Sequence, residues 1–259
     1  MKTAVLPKNF IYFGDLILVN PDHSYREQGV EHSLVPVDEN NGKILMARRS
    51  AVLLSKLMDE LQGWEHIAAV SGWRSEREQQ EIFAQSLREN GANFTDQFVA
   101  KPGHSEHQTG FAIDLGLKQP DIDFIRPDFP YSGICQTFRE KAALYGFIER
   151  YPAGKESITG IAHESWHFRY VGTPHAAIMT EMSFTLEEYI EFLKQFPYGE
   201  KSYIYQKGSL CISISYLAAS EDSDTRVEVE PDIPYSVSGN NEDGFIITEW
   251  RRRSDASRQ

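Results

Sequence analysis

The chain reads as an α+β protein: a central antiparallel sheet flanked by helices, with a small all-β module towards the C-terminal end. Three observations lead there. Gly110 to Leu117 and His167 to Tyr170 alternate in side-chain character with the two-residue period of strands. Other segments carry apolar residues at helical spacing, behind capping signals or ahead of a glycine stop. Beyond about Tyr198 only short β-type runs separated by turn residues remain. With 259 residues there is chain for one large or two small domains with an ample core. The expected division is 1–197 for the mixed domain and 198–250 for the β module, with 251–259 a solvated tail.

In chain order, the first forty-odd residues mix short apolar runs with loops, and Ile17-Leu18-Val19 is a candidate edge strand. Met46 to Leu61 reads as a helix with Val52, Leu53 and Leu57 on one face. Ile67-Ala68-Ala69-Val70 is a short buried strand running into Ser71-Gly72-Trp73-Arg74-Ser75. Ser75 with Glu78 forms a capping box, so a helix starts there, turns Ile82, Phe83 and Leu87 inward and stops near Gly91. In the strand from Gly110, Phe111, Ile113, Leu115 and Leu117 share one face, and Gly110, Ala112, Asp114 and Gly116 the other. Lys118 to Ile134, rich in Pro and Asp, is too irregular for an element; a long loop beside a site is more often functional than a spacer. Thr137 to Tyr145 is helical, and Thr185 with Glu188 caps a helix presenting Tyr189, Ile190 and Leu193. In the β module the expected strands are 202–206, 211–217, 225–230, 235–238 and 245–250, with Gly239 to Gly244 a turn.

Composition narrows the function. A net charge of −12 argues against a nucleic-acid partner, whose phosphates would be repelled, and against tight adhesion to an anionic cell wall. Met1 to Phe10 lacks the unbroken apolar run of a signal peptide, and no stretch is long enough to span a membrane. The only cysteines, Cys135 and Cys211, form no disulfide framework or zinc-ligand pair and read as structural thiols. Cytoplasm is the expected compartment. The Arg251-Arg252-Arg253 run is too short to imply a nucleic-acid partner.

Chemistry concentrates in two stretches, Ser105-Glu106-His107-Gln108-Thr109-Gly110-Phe111-Ala112-Ile113-Asp114 and Glu164-Ser165-Trp166-His167-Phe168-Arg169-Tyr170. They offer two imidazoles and a carboxylate as metal ligands, with a spare glutamate near the third. Hydrolysis at a catalytic zinc needs that set: three protein ligands, an open fourth position, and a base. The Asp114 face is otherwise Gly and Ala, which leaves room beside the carboxylate, and a buried carboxylate needs a partner. His167 shares a strand face with Arg169, while Glu164 lies ahead of that strand in a segment free to bend back. A histidine in a strand is more often a packed or surface residue than a ligand, so it is the combination that argues for a site. His104 and His163 each stand beside a better-placed candidate and are expected to be outer or surface residues.

The pattern Ser-x-His-x-x-Gly-x-Ala-x-Asp followed by Glu-x-x-Trp-His-x-Arg-Tyr resembles the zinc D-alanyl-D-alanine metallopeptidases, the VanX, VanY and VanXY types of vancomycin resistance. The similarity runs from about Pro36 to about Phe196 and is closest to the VanXY type in Gln97-Phe98-Val99-Ala100, Ser105 to Gln108, Ile158 to Ile161 and Trp166 to Gly172. The resemblance implies that His107, Asp114 and His167 bind zinc and that Glu164 is the catalytic base. It implies that Arg74 steadies the tetrahedral intermediate and that Gln79 and Ser105 hydrogen-bond the substrate. It also implies that the 118–134 loop shapes substrate choice. One position departs: bifunctional members often carry aspartate where this chain has Ser71, and a neutral serine there is expected to enlarge the pocket and favour longer stems or a C-terminal D-serine.

The expected function is therefore zinc-dependent hydrolysis of D-Ala-D-Ala, as free dipeptide or at the end of peptidoglycan-precursor stems. The expected partners are small peptides. Two rivals stand: a peptidoglycan L-Ala-D-Glu endopeptidase sharing the zinc motif, and a non-catalytic zinc module that binds muropeptides. Glu164 discriminates the latter, because a binder needs the ligands but no base.

Overall fold

The computed structural model describes residues 1–26, 34–38 and 41–252. Strand β1 (Lys2–Leu6) has its partner near the other end of the chain. After it come the hairpin β2 (Leu34–Asp38) and β3 (Asn41–Ala47), helix α1 (Arg48–Leu61) and β4 (Ile67–Ser71). Helices α2 (Glu76–Asn90) and α3 (Ala92–Phe98) lead to β5 (Ala112–Leu117). Then follow α4 (Gly133–Ala142), β6 (Phe147–Tyr151), α5 (Glu156–Thr159), β7 (Glu164–Tyr170), α6 (His175–Met182) and α7 (Leu186–Leu193). The last strands are β8 (Tyr203–Lys207), β9 (Leu210–Ala218), β10 (Thr225–Val229), β11 (Tyr235–Gly239) and β12 (Gly244–Arg252).

Residues Val19–Thr185 form one unit. Its centre is a four-stranded sheet in the order β4-β5-β7-β6, antiparallel throughout. The alternation read from sequence decides its two faces. Ile113, Leu115, Phe168 and Tyr170 go into a core with Leu54, Leu57 and Met58 of α1 and Cys135 and Phe138 of α4. Phe129, from the irregular stretch before α4, packs edge-on against Phe168 and Phe138 at centroid distances of 5.5 and 5.7 Å, which anchors that loop to the sheet. The opposite face is left to Asp114, His167 and Arg169.

Several local expectations shift. The buried stripe of α1 is Ser50, Ala51, Leu54, Leu57 and Met58, so Val52 is 46% exposed, about a hundred degrees round from that stripe. The Ser75–Glu78 capping box forms in both directions, but α2 buries Gln79 and Ser86 and leaves Leu87 exposed. Ser86 is occupied by a 2.7 Å hydroxyl pair with Thr95 of α3. Ile17-Leu18-Val19 is buried chain without strand structure; Leu18 N–H donates to the Asn240 carbonyl, and no ladder follows. Helix α4 starts at Gly133, ahead of the expected Thr137. Glu164 is the first residue of β7, not a residue ahead of it.

The second unit combines Met1–Leu18 with the chain from Leu186 onward. Strand β10 pairs antiparallel with β1, and the remaining strands form a sheet in the order β11-β12-β9-β8. Leu6, Val227, Val229, Phe245 and Ile247 make its core. The expected break at 197/198 therefore falls inside this unit, which starts at Leu186, and the β-rich part also takes β1 from the beginning of the chain, a pairing that no local pattern announces. The turn expected at Gly239 to Gly244 is present, with Asn240 Oδ1 accepting from the N–H groups of Glu242, Asp243 and Gly244 at 3.0 Å each. Arg251, assigned to a tail, belongs to β12 and pairs with Glu230 at 2.9 Å; residues 253–259 lie outside those described. Among the described residues no helix is long and apolar enough to cross a membrane.

Candidate active site

The short turn Glu106–Thr109 carries His107 and ends at Gly110, whose φ of +73° lets the chain reverse into β5. Thr109 braces that turn, its hydroxyl donating to the Glu106 carbonyl at 2.6 Å and accepting from Phe111 N–H at 2.9 Å. Within the sheet, Asp114 stands directly opposite His167 across β5 and β7. Strand register thus brings together two candidate ligands that lie far apart in sequence.

The three candidate ligands converge. His107 Nε2 is 3.1 Å from Asp114 Oδ2, and His167 Nδ1 is 2.8 Å from Asp114 Oδ1. One ligand atom from each lies within 4.8 Å of the others, and all three residues are buried. Each imidazole is fixed from behind. His107 Nδ1–H donates to the Gly72 carbonyl at 2.6 Å, and His167 Nε2–H points at Glu106 Oε2, 3.4 Å away. Gly72 has no alternative, since a Cβ there would sit 2.3 Å from the Leu45 carbonyl oxygen. Both outer bonds turn the inner nitrogen towards the shared space. Two nitrogens and a carboxylate oxygen, buried and oriented in this way, fit a zinc ion.

Electrostatics follow from crowding these groups out of water. Burial works to raise the Asp114 carboxyl, but His107 and His167 outweigh it and hold it far below the usual carboxylate range. Burial, with Arg74 adding to it, pushes His107 down to about 4. Burial also disfavours charge on His167, yet its bonds to Asp114 and Glu106 prevail and raise it to about 9. A cation entering this space must therefore displace a proton from His167. Glu164 is pushed up to about 8, chiefly by burial. Its Oε2 lies 3.8 Å from His167 Nδ1, near the ligands.

Seven of the eight residues singled out from the sequence line one cleft: His107, Asp114, His167, Glu164, Arg74, Gln79 and Ser105. Arg74 Nη2 is 3.8 Å from Asp114 Oδ2, and its Nε is buried with no protein partner among the described residues. Gln79 donates to the Ala100 carbonyl at 2.7 Å, while its Oε1 is likewise buried and unpartnered. A donor and an acceptor are thus held ready for a peptide. Ser71 is the exception. It is buried opposite Asp114 at the irregularity between β4 and β5, and it is not among the cleft-lining residues. His104 bonds the Asn20 carbonyl at 2.9 Å, and His163 bonds Tyr131 at 2.7 Å; neither joins the cluster of His107, Asp114 and His167.

The structure adds groups that sequence reasoning passed over. Glu106 is fully buried between Arg150 and Arg169. Tyr151 tilts over the His167 ring at 4.9 Å. Phe124 and Ile125, from the irregular loop, line the cleft with Trp166. One signal was available: Arg169 shares a strand face with His167, and a guanidinium on a buried face calls for an acid.

Residues 44–173 match the VanY family model, described as D-alanyl-D-alanine carboxypeptidase. The chain is 42% identical over 181 residues to the bifunctional D-Ala-D-Ala dipeptidase and D-Ala-D-Ala carboxypeptidase VanXYC of Enterococcus gallinarum, covering 70% of this chain and 95% of that protein. Among solved structures it is similar to the vancomycin resistance D,D-dipeptidase VanXYg in complex with a D-Ala-D-Ala phosphinate analogue. That match has 49% identity and a TM-score of 0.93, over 96% of this chain and 99% of the other. A mutant of the D,D-pentapeptidase VanY from a VanB-type cassette, in complex with Zn(II), matches at 30% identity and a TM-score of 0.58, over 68% of this chain and 98% of that one.

Proposed function

The chain belongs to the VanY family of D-alanyl-D-alanine carboxypeptidases, and we propose that it is a zinc D,D-peptidase that removes the terminal D-alanine of D-Ala-D-Ala, as free dipeptide and at the end of peptidoglycan-precursor stems. The observation that carries this reading is the meeting of His107, Asp114 and His167 with Glu164 and Arg74 in one cleft. In the cytoplasm such an activity would strip precursors of the terminus that vancomycin recognises.

His107, Asp114 and His167 would hold a zinc ion, which would supply the Lewis acidity to activate water near neutral pH and to polarise the scissile carbonyl. Glu164 does the proton work. Buried beside the candidate ligands, its carboxylate is placed to take one proton from the attacking water and pass it to the nitrogen of the departing D-alanine. Arg74 keeps its charge in a buried setting beside Asp114 and offers its unpartnered Nε to the oxyanion that develops on the peptide carbonyl. Gln79 Oε1 accepts from a substrate N–H, and Ser105, buried on the cleft wall, adds a hydroxyl. Ser71 acts at one remove, through Asp114 opposite it.

Glu164 supports a peptidase over a muropeptide-binding module, since a base beside the ligands serves no purpose in mere binding. The named activities of the relatives support D,D-specificity over an L-Ala-D-Glu endopeptidase. Release of D-alanine from dipeptide and pentapeptide, measured side by side, tests the proposal. Activity should vanish with a chelator and return with zinc. Persistence of full activity in the chelator would end the zinc reading, and cleavage between L-Ala and D-Glu would end the substrate reading.

A further inference from the structure

Glu106 immediately precedes the ligand His107, yet its carboxylate serves the other histidine. Oε1 accepts from Arg150 Nε and Arg169 Nη1, each at 2.8 Å, and Oε2 lies 3.4 Å from His167 Nε2. The side chains of Glu106, Arg150 and Arg169 have no solvent exposure at all. These residues come from three separate pieces of chain: the 106–109 turn, β6 and β7. Enclosing a carboxylate and two guanidiniums is a poor way to stabilise a fold, since well-packed apolar side chains of similar volume often do as well or better. The cluster therefore calls for a role beyond packing.

Its geometry indicates which. The two ligand imidazoles are held by unlike acceptors: His107 by the neutral carbonyl of Gly72, His167 by an anion gripped from its far side by two arginines. An anion behind an imidazole holds the Nε2–H tautomer and makes Nδ1 a stronger donor. We propose that Glu106, backed by Arg150 and Arg169, is the positioning residue of the metal centre, holding the His167 ring with Nδ1 towards the ion. Because Glu106 is bonded in sequence to His107, one residue sets the mutual placement of two ligands drawn from different segments before any ion binds. The role rests on the zinc reading above and not on which peptide is cleaved.

The test is Glu106→Gln in the full chain, which keeps the shape and removes the charge, with zinc affinity measured by competition against a chromophoric chelator. The dissociation constant for zinc should rise about 10–100-fold, the usual cost of losing an outer-shell partner. Ser86→Ala, which breaks a buried hydroxyl pair away from the centre, serves as the control for general destabilisation and should leave zinc affinity unchanged. If Glu106→Gln does not fold, nitrogen-15 histidine spectra of the zinc-loaded wild type decide the matter. They should show a His167 Nε2 proton that is hydrogen-bonded and slow to exchange. Zinc affinity within twofold of wild type, or a freely exchanging Nε2 proton, overturns the proposal while leaving the peptidase reading intact. A wild-type protein that takes up no zinc overturns both.

Discussion

Glu164→Gln separates the catalytic demands of the site from those of the fold. The substitution is nearly isosteric, removes the proton acceptor and leaves all three candidate ligands in place. A positioned general base contributes ~10²–10⁴-fold in rate, about 2.7–5.5 kcal/mol at 1.36 kcal/mol per decade, so kcat should drop by that factor while bound zinc stays near one per chain. The metal-free protein should respond in the opposite direction. Burial raises Glu164 from an ordinary 4.5 to about 8 in the folded state. A carboxyl whose folded pKa is raised binds its proton more tightly when folded, so its contribution to stability is full below pH 4.5 and is lost as pH rises towards 8. At pH 7.5 the chain has forfeited up to about 4 kcal/mol, three pH units at 1.36 kcal/mol each, and glutamine, which has no proton to lose, is spared that loss. Urea unfolding of the metal-free proteins should show Glu164→Gln the more stable at pH 7.5 and the gap closing near pH 4.5. Loss of zinc with the substitution would make Glu164 a ligand. Turnover within tenfold of wild type, or equal stabilities at pH 7.5, would refute the buried-base argument.

Three further expectations can be checked with the same assays. Arg74→Lys should retain zinc but lose about 10²–10³-fold in kcat, because an ammonium cannot reproduce the planar fork or the Nε donor; wild-type turnover would make Arg74 a helix-entry residue only. Burial of His175 depresses its pKa to about 3, so the unfolded chain takes up a proton that the folded chain refuses, and stability falls as pH drops below about 6.5. At pH 5 the loss is about 2 kcal/mol, and the fall in stability between pH 7.5 and pH 5 should shrink by that amount in His175→Gln, measured by urea unfolding. Ser71→Asp sets a second buried carboxylate opposite Asp114 and off the cleft wall, so it should act through that candidate ligand, altering zinc affinity and lowering hydrolysis of stem, D-Ala-D-Ser and D-Ala-D-Ala dipeptide substrates by about the same factor. Loss confined to stem or D-Ala-D-Ser substrates, with zinc affinity unchanged, would show instead that position 71 selects substrate.

Local chemistry and short-range periodicity made the candidate ligands and the candidate base legible, and the family resemblance gave them their expected roles. Asp114 stood out because a carboxylate among Gly and Ala on a strand face needs a partner, and His167 because its strand neighbours Phe168 and Tyr170 claimed the core and turned it the other way. The capping box of Ser75 and Glu78 was equally readable, being complete within four residues. What tertiary structure alone decided depends on contacts between distant segments. The register that sets Asp114 opposite His167 is one such fact, and the pairing of β1 with β10, which joins the beginning of the chain to the C-terminal unit, is another. The burial of Ser71 beside Asp114, away from the cleft wall, came from an irregularity between β4 and β5 that leaves no mark in composition. Glu106 was hidden for a related reason. Its neighbour His107 is a candidate ligand, but the Glu106 carboxylate is defined by two arginines and a histidine 44 to 63 residues further on, and only a folded chain brings them within 3.4 Å.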